Sequence, residues 1–202
     1  MIRQAYTDAA AFFVETVAQI KSEAWSQFAL GEWTVRDLAG HTNRALVTVE
    51  TYLDNPAETA EMARPVAYYL RAAAALGDPA MVAARGRAAG KALGADPTAT
   101  VQATAQRVLA RVDREADDAL LTTPVGGIRL IDYLPSRVLE LTVHTADIAT
   151  AVKLDGEAPT SAVSVSLHLM ADLAVVRGCA TPLLRSLTGR ASLPPAFNVL
   201  PV

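Results

Sequence analysis

A single cysteine, Cys179, stands among the 202 residues. That excludes an internal disulfide framework and any zinc site built from several thiolates. Lysine is almost as scarce, three residues against 15 arginines, and 18 basic side chains facing 21 acidic ones leave a net charge of −3. So mild an acidity provides no electrostatic footprint for nucleic acid or for an anionic membrane surface. No stretch of about 18 apolar residues is free of charge, so no bilayer-spanning helix is expected. The opening residues, Met1-Ile2-Arg3-Gln4-Ala5-Tyr6-Thr7-Asp8, lack a basic segment leading into an apolar one, and the expectation is a cytoplasmic protein. Gly126-Gly127 lacks the glycine spacing of a phosphate-binding loop, and there is no G-x-S-x-G elbow.

What the chain does have is alanine, 40 residues in 202. Alanine is the best helix former. With 51% apolar residues but only 5% aromatic ones, the composition points to closely packed helices around one core of small side chains. The expected class is all-α. Apolar residues at steps of three and four mark a first helix from about Asp8 to Trp25, through Tyr6, Ala10, Phe13, Val17, Ile20 and Ala24. Thr34 followed three residues later by Asp37 is a capping-box variant that opens a second helix, closed by Asp54-Asn55-Pro56. Pro65–Leu76 and Met81–Leu93 read as helical, the latter weakened by Gly86 and Gly90. Asp96-Pro97 starts another helix that runs to about Leu121. Residues 122–127 read as a loop and Ile128 to Leu134 as extended or a short turn. Pro135 suits the first turn of a helix reaching Val152. Two shorter helices, Ser161–Arg177 and Pro182–Leu187, precede a proline-rich tail.

On the Pro135–Val152 helix, Arg137, Glu140, His144 and Asp147 fall on one stripe. Residues four apart on a helix have Cβ atoms about 5–6 Å apart, so Glu140 and His144 can reach one ion. A carboxylate oxygen and an imidazole nitrogen suit zinc or a similar divalent cation. The third ligand has to come from another element, and His41, at the edge of the second helix's core face, is the one histidine well placed for it. Two histidines and one carboxylate would leave a coordination position open, as catalytic rather than structural zinc sites do. Asp147 could hold a ligand imidazole in its tautomer, and Arg137 could bind an anionic substrate or pair with Glu140. The plainer alternative is a solvated helix face carrying ordinary ion pairs. His168, with no acidic neighbour one turn away, reads as a packing residue.

These same residues carry a family resemblance. Glu32-Trp33-Thr34-Val35-Arg36-Asp37-Leu38-Ala39-Gly40-His41 resembles the segment that opens the second helix in the DinB-like superfamily. Arg137-Val138-Leu139-Glu140-Leu141-Thr142-Val143-His144-Thr145-Ala146-Asp147 is similar to the R-v-x-E-x-x-x-H-x-x-D segment of its mycothiol-dependent maleylpyruvate isomerase branch. Leu183-Leu184-Arg185-Ser186-Leu187-Thr188-Gly189-Arg190 resembles a shorter stretch late in those chains. The resemblance implies a DinB-like four-helix bundle over residues 1–155, with additional short helices over residues 156–202 packed on it as part of one domain. It implies a divalent metal, usually zinc, held by His41, Glu140 and His144, and mycothiol, a low-molecular-weight thiol, as cosubstrate. Arg190 becomes a candidate contact for that cosubstrate or the substrate, and Arg137 and Asp147 become candidates for catalytic roles.

The isomerases carry a sizeable α/β domain after the bundle, whereas the 50 residues after Val152 in this chain read as helical. The isomerase substrate therefore does not carry over. The expected function is a metal- and thiol-dependent isomerase or S-transferase acting on small electrophiles, as a monomer or homodimer without nucleic-acid or membrane partners. The alternatives are a metal-bearing small-molecule binding protein without turnover and a metal-dependent hydrolase using bound water.

Overall fold

A computed structural model of the chain describes residues 1–200. Among them are eight α-helices: α1 (Ile2–Ala18), α2 (Val35–Leu53), α3 (Pro65–Leu76), α4 (Pro79–Ala92), α5 (Pro97–Arg114), α6 (Leu130–Val152), α7 (Thr160–Val176) and α8 (Ala180–Leu187). Two small antiparallel hairpins interrupt them, β1 (Phe28–Leu30) with β2 (Trp33–Thr34), and β3 (Leu120–Thr123) with β4 (Gly126–Arg129). The fold is all-α in class, with short strands only at helix junctions.

Helices α1, α6, α2 and α5 close into a four-membered ring, each packed on two neighbours. Their facing stripes bury Tyr6, Phe13, Leu38, Leu46, Val108, Tyr133, Leu134 and Leu141 in one continuous core. Large apolar side chains of this kind contribute about 1.5–3 kcal/mol each when taken fully out of water. Outside the ring, α4 lies along α2, α7 lies against α6 and α1, and α3 rests on α6 and α7. A smaller cluster of Val66, Leu139, Leu169, Leu173 and Val199 ties the C-terminal residues to α3, α6 and α7.

The capping box of α2 forms as expected. Asp37 N–H donates to Thr34 Oγ1 at 3.2 Å while Thr34 N–H donates to Asp37 Oδ2 at 3.1 Å. Two of the helix's otherwise unpaired N–H groups are thereby satisfied. The first helix differs from its expected limits, starting at Ile2 and ending at Ala18. Ile20 and Ala24 stay buried beyond the helix, Ile20 in the connecting segment and Ala24 on a 3₁₀ turn at Ser22–Ser26. The apolar rhythm thus outruns the helix itself.

Two further boundaries depart from expectation for tertiary reasons. Helix α5 stops at Arg114, and residues 120–129 pair as a hairpin in the register Leu120↔Arg129, Leu121↔Ile128. Helix α6 begins at Leu130, so Pro135 lies inside it. No side chain caps that start. Instead Leu130 N–H donates to Ala119 carbonyl at 2.8 Å and Ile131 N–H to Asp117 carbonyl at 3.0 Å. The preceding loop supplies acceptors that no local motif announces.

The glycines of α4 have a positive purpose. A Cβ on Gly40 of α2 would stand 2.3 Å from Gly90 N, and one on Gly86 would stand 2.4 Å from the Trp33 indole. The missing side chains let α4 press on α2 and leave room for the indole beside His41.

Candidate metal centre

His41 lies two turns into α2, behind the capped start, where its imidazole is clamped by packing. The Trp33 ring sits over it with centroids 4.6 Å apart, and Trp33 Nε1–H donates to Ala83 carbonyl of α4 at 3.1 Å. Glu140 and His144 stand one turn apart on α6, the neighbouring member of the ring. Asp147, three residues further, accepts from His144 Nδ1 at 3.2 Å and turns Nε2 inward.

The three side chains converge. Their candidate donor atoms all lie within 4.8 Å of one another. Glu140 Oε2 is 3.4 Å from His144 Nε2 and 3.7 Å from His41 Nε2, and the two imidazoles meet edge to face at 5.0 Å. Two donors held about 2.1 Å from a common tetrahedral centre lie about 3.4 Å apart. Two imidazole nitrogens and a carboxylate oxygen in this arrangement fit a divalent cation such as zinc. With side chains only 19–21% exposed, the three do not form a solvated ion-pair face.

Charge is distributed unevenly among the protein groups. Burial opposes ionisation of Glu140, but His144, His41 and Arg137 outweigh it and hold the carboxyl well below the ordinary carboxylate range. Burial likewise opposes the His144 cation, yet Asp147 and Glu140 overcome it and push its pKa up to about 9. For His41 burial wins over the single contact to Glu140, and its pKa falls. Its Nδ1 is buried without a hydrogen-bond partner among the described residues. One carboxylate serves both rings, and only the ring with a second acid beside it is raised.

A cavity of about 300 Å³ opens beside the cluster, with Arg44, Arg85 and Arg137 on its wall. Arg137 lies over the rings of Tyr133 and Tyr68, at 4.9 and 5.7 Å from their centroids, and its Nε donates to Ser136 Oγ at 3.1 Å. None of the three arginines takes part in a salt bridge among the described residues. A guanidinium keeps its charge at any accessible pH, so the wall is electropositive.

The family model of the mycothiol maleylpyruvate isomerase N-terminal domain matches residues 6–149 of the chain. The chain belongs to that family. No curated protein and no solved structure matches it significantly. The matched span contains the His41–Glu140–His144 cluster and every residue of the cavity wall except Leu200, and it ends before α7.

Of the other residues singled out in the sequence, Arg137 lines the cavity and Asp147 contacts His144. Arg190 lies apart from them. It is exposed beyond α8, donates to Thr188 carbonyl at 3.3 Å, and is not on the cavity wall. His168 is exposed on α7 rather than packed, with Nδ1 2.7 Å from Ser164 carbonyl.

Sequence reasoning missed three participants. Arg44 was within reach, since it lies three residues after His41 on the same helix. Arg85 and Tyr69 arrive from α4 and α3 and carry no local signal. Tyr69 OH donates to Glu140 Oε1 at 3.1 Å. Burial first, and the Glu140 charge second, raise the Tyr69 pKa and keep the phenol protonated as a donor.

Proposed function

We propose that the protein is a divalent-metal-dependent and mycothiol-dependent enzyme, an isomerase or S-transferase acting on small anionic electrophiles. The convergence of His41, Glu140 and His144 at the wall of an arginine-lined cavity carries this reading, and the family assignment supports it. His41, Glu140 and His144 would hold the cation, with zinc the metal best suited to two imidazoles and a carboxylate. When bound, the cation supplies Lewis acidity and lowers the pKa of a thiol at its open position, so that thiol addition to an electrophilic carbon becomes available near neutral pH. Release of the thiol after bond rotation yields an isomer, and its retention yields a thioether.

The remaining work falls to this chain's side chains. Asp147 would fix the His144 tautomer by accepting the hydrogen bond of Nδ1–H, so that Nε2 is the nitrogen left to offer a lone pair when a cation displaces its proton. Arg137, immobilised against two tyrosine rings, offers a charged donor to an anionic group of the substrate, and Arg44 and Arg85 add to the same field. Residues 156–202 act in this reading as an extension packed on the bundle, without a contact from Arg190 to the reacting groups.

Elemental analysis of the purified protein together with turnover assays tests the proposal. The expected result is a single divalent ion per chain, lost in His144→Ala, and product formation from a panel of electrophiles only when mycothiol is present. A metal content unchanged in His144→Ala contradicts the metal assignment. Metal-loaded protein that binds electrophiles without product formation points to a binding protein, and thiol-independent hydrolysis points to a water-using enzyme.

A further inference from the structure

Glu140 presents its two oxygens to different neighbours. Oε2 faces His144 Nε2 and His41 Nε2, whereas Oε1 accepts the hydroxyl proton of Tyr69. Tyr69 belongs to α3, which lies outside the four-helix ring and rests on α6 and α7. Its neighbour Tyr68 turns the other way, against the Tyr133 ring at 5.0 Å and beneath Arg137. Two consecutive aromatic residues therefore brace two charged groups of α6 one turn apart, Arg137 and Glu140. A carboxylate free to rotate can give a metal one oxygen or two. A phenol donating to the second oxygen draws charge from it and resists the rotation that would turn both oxygens toward one ion.

We propose that Tyr69 is a positioning residue that restricts Glu140 to single-oxygen ligation and so keeps a coordination position open for the reacting thiol. The inference rests on the metal reading above and adds an element that the ligand triad itself does not contain. Removing the phenol oxygen releases Oε1, which then competes for the open position. Groups that orient metal ligands typically alter metal affinity tenfold to a hundredfold when removed.

Cobalt(II) substitution of the full chain provides the test, because ligand-field absorption distinguishes four-coordinate cobalt from higher coordination. The expected wild-type spectrum is the intense visible band of a four-coordinate ion. Tyr69→Phe is expected to bind cobalt about tenfold to a hundredfold more weakly, with a weaker band of higher coordination, at a metal-free unfolding midpoint close to wild type. Tyr69→Gln, which restores an N–H donor, is expected to recover part of the wild-type spectrum. A Tyr69→Phe protein with wild-type affinity and spectrum overturns the inference, as does one that loses only metal-free stability. Zinc X-ray absorption of the unaltered protein decides the matter without a variant, and two-oxygen ligation by Glu140 overturns it. Wild-type protein that takes up no cobalt overturns the metal reading itself, a result separable from a failure confined to Tyr69.

Discussion

The two sides of the candidate centre are built by different forces. On α2, His41 is held by packing, pressed beneath the Trp33 indole, with a buried Nδ1 that has no partner among the described residues. On α6, Glu140 and His144 are held by polar contacts, from Tyr69 to Oε1 and from His144 Nδ1 to Asp147. Packing ties the position of His41 to the stability of the whole α2–α4 contact. In the proposed metal reading, polar contacts tie the α6 pair to metal affinity more than to the stability of the fold. Damage on the two sides should therefore be read by different instruments.

Removing a ligand itself strikes hardest. Glu140→Ala should abolish stoichiometric metal binding, and chelation should no longer lower its unfolding midpoint. In the wild type at metal a thousandfold above Kd, chelation should remove about 4 kcal/mol of stability, measurable by denaturant unfolding with and without chelator. Trp33→Ala should cost about 3–5 kcal/mol of stability as a large buried aromatic, with metal affinity falling because His41 loses its support. Calorimetric unfolding of the metal-free protein isolates that first effect. Asp147→Asn should leave the metal-free midpoint near wild type and weaken metal binding about tenfold to a hundredfold, as titration against a chromophoric chelator would show. Arg190→Ala should do least, within about ±0.5 kcal/mol in stability and without effect on metal binding. Equal losses of stability from Trp33→Ala and Asp147→Asn would erase the distinction between the two sides.

The same division explains what could be read from the sequence. Glu140, His144 and Asp147 are legible because their separations are fixed by the helix that carries them, and helical spacing is a local property. The start of α2 is legible for a similar reason, since Thr34 and Asp37 satisfy each other within one turn. Helix α3 appears over Pro65–Leu76 as expected because Pro65 at its start and Gly77 at its end are local punctuation. The start of α6 is not legible, because its N–H groups are satisfied by Asp117 and Ala119 rather than by a capping side chain. Nor is the benefit of Gly86 and Gly90, which lower helix propensity locally and permit a close approach that only the packed α2–α4 pair reveals. Tyr69 and Arg85 belong to this second kind. Each enters the site from a helix outside the ring, and no spacing in the chain connects either one with Glu140.

The centre itself stands or falls on where a cation goes. Anomalous diffraction at the zinc edge, from crystals of zinc-loaded protein, should show one peak at bonding distance, about 2.0–2.2 Å, from His41 Nε2, Glu140 Oε2 and His144 Nε2 together. Zinc-loaded crystals with no peak between α2 and α6, or with zinc only on exposed side chains elsewhere, would contradict the account.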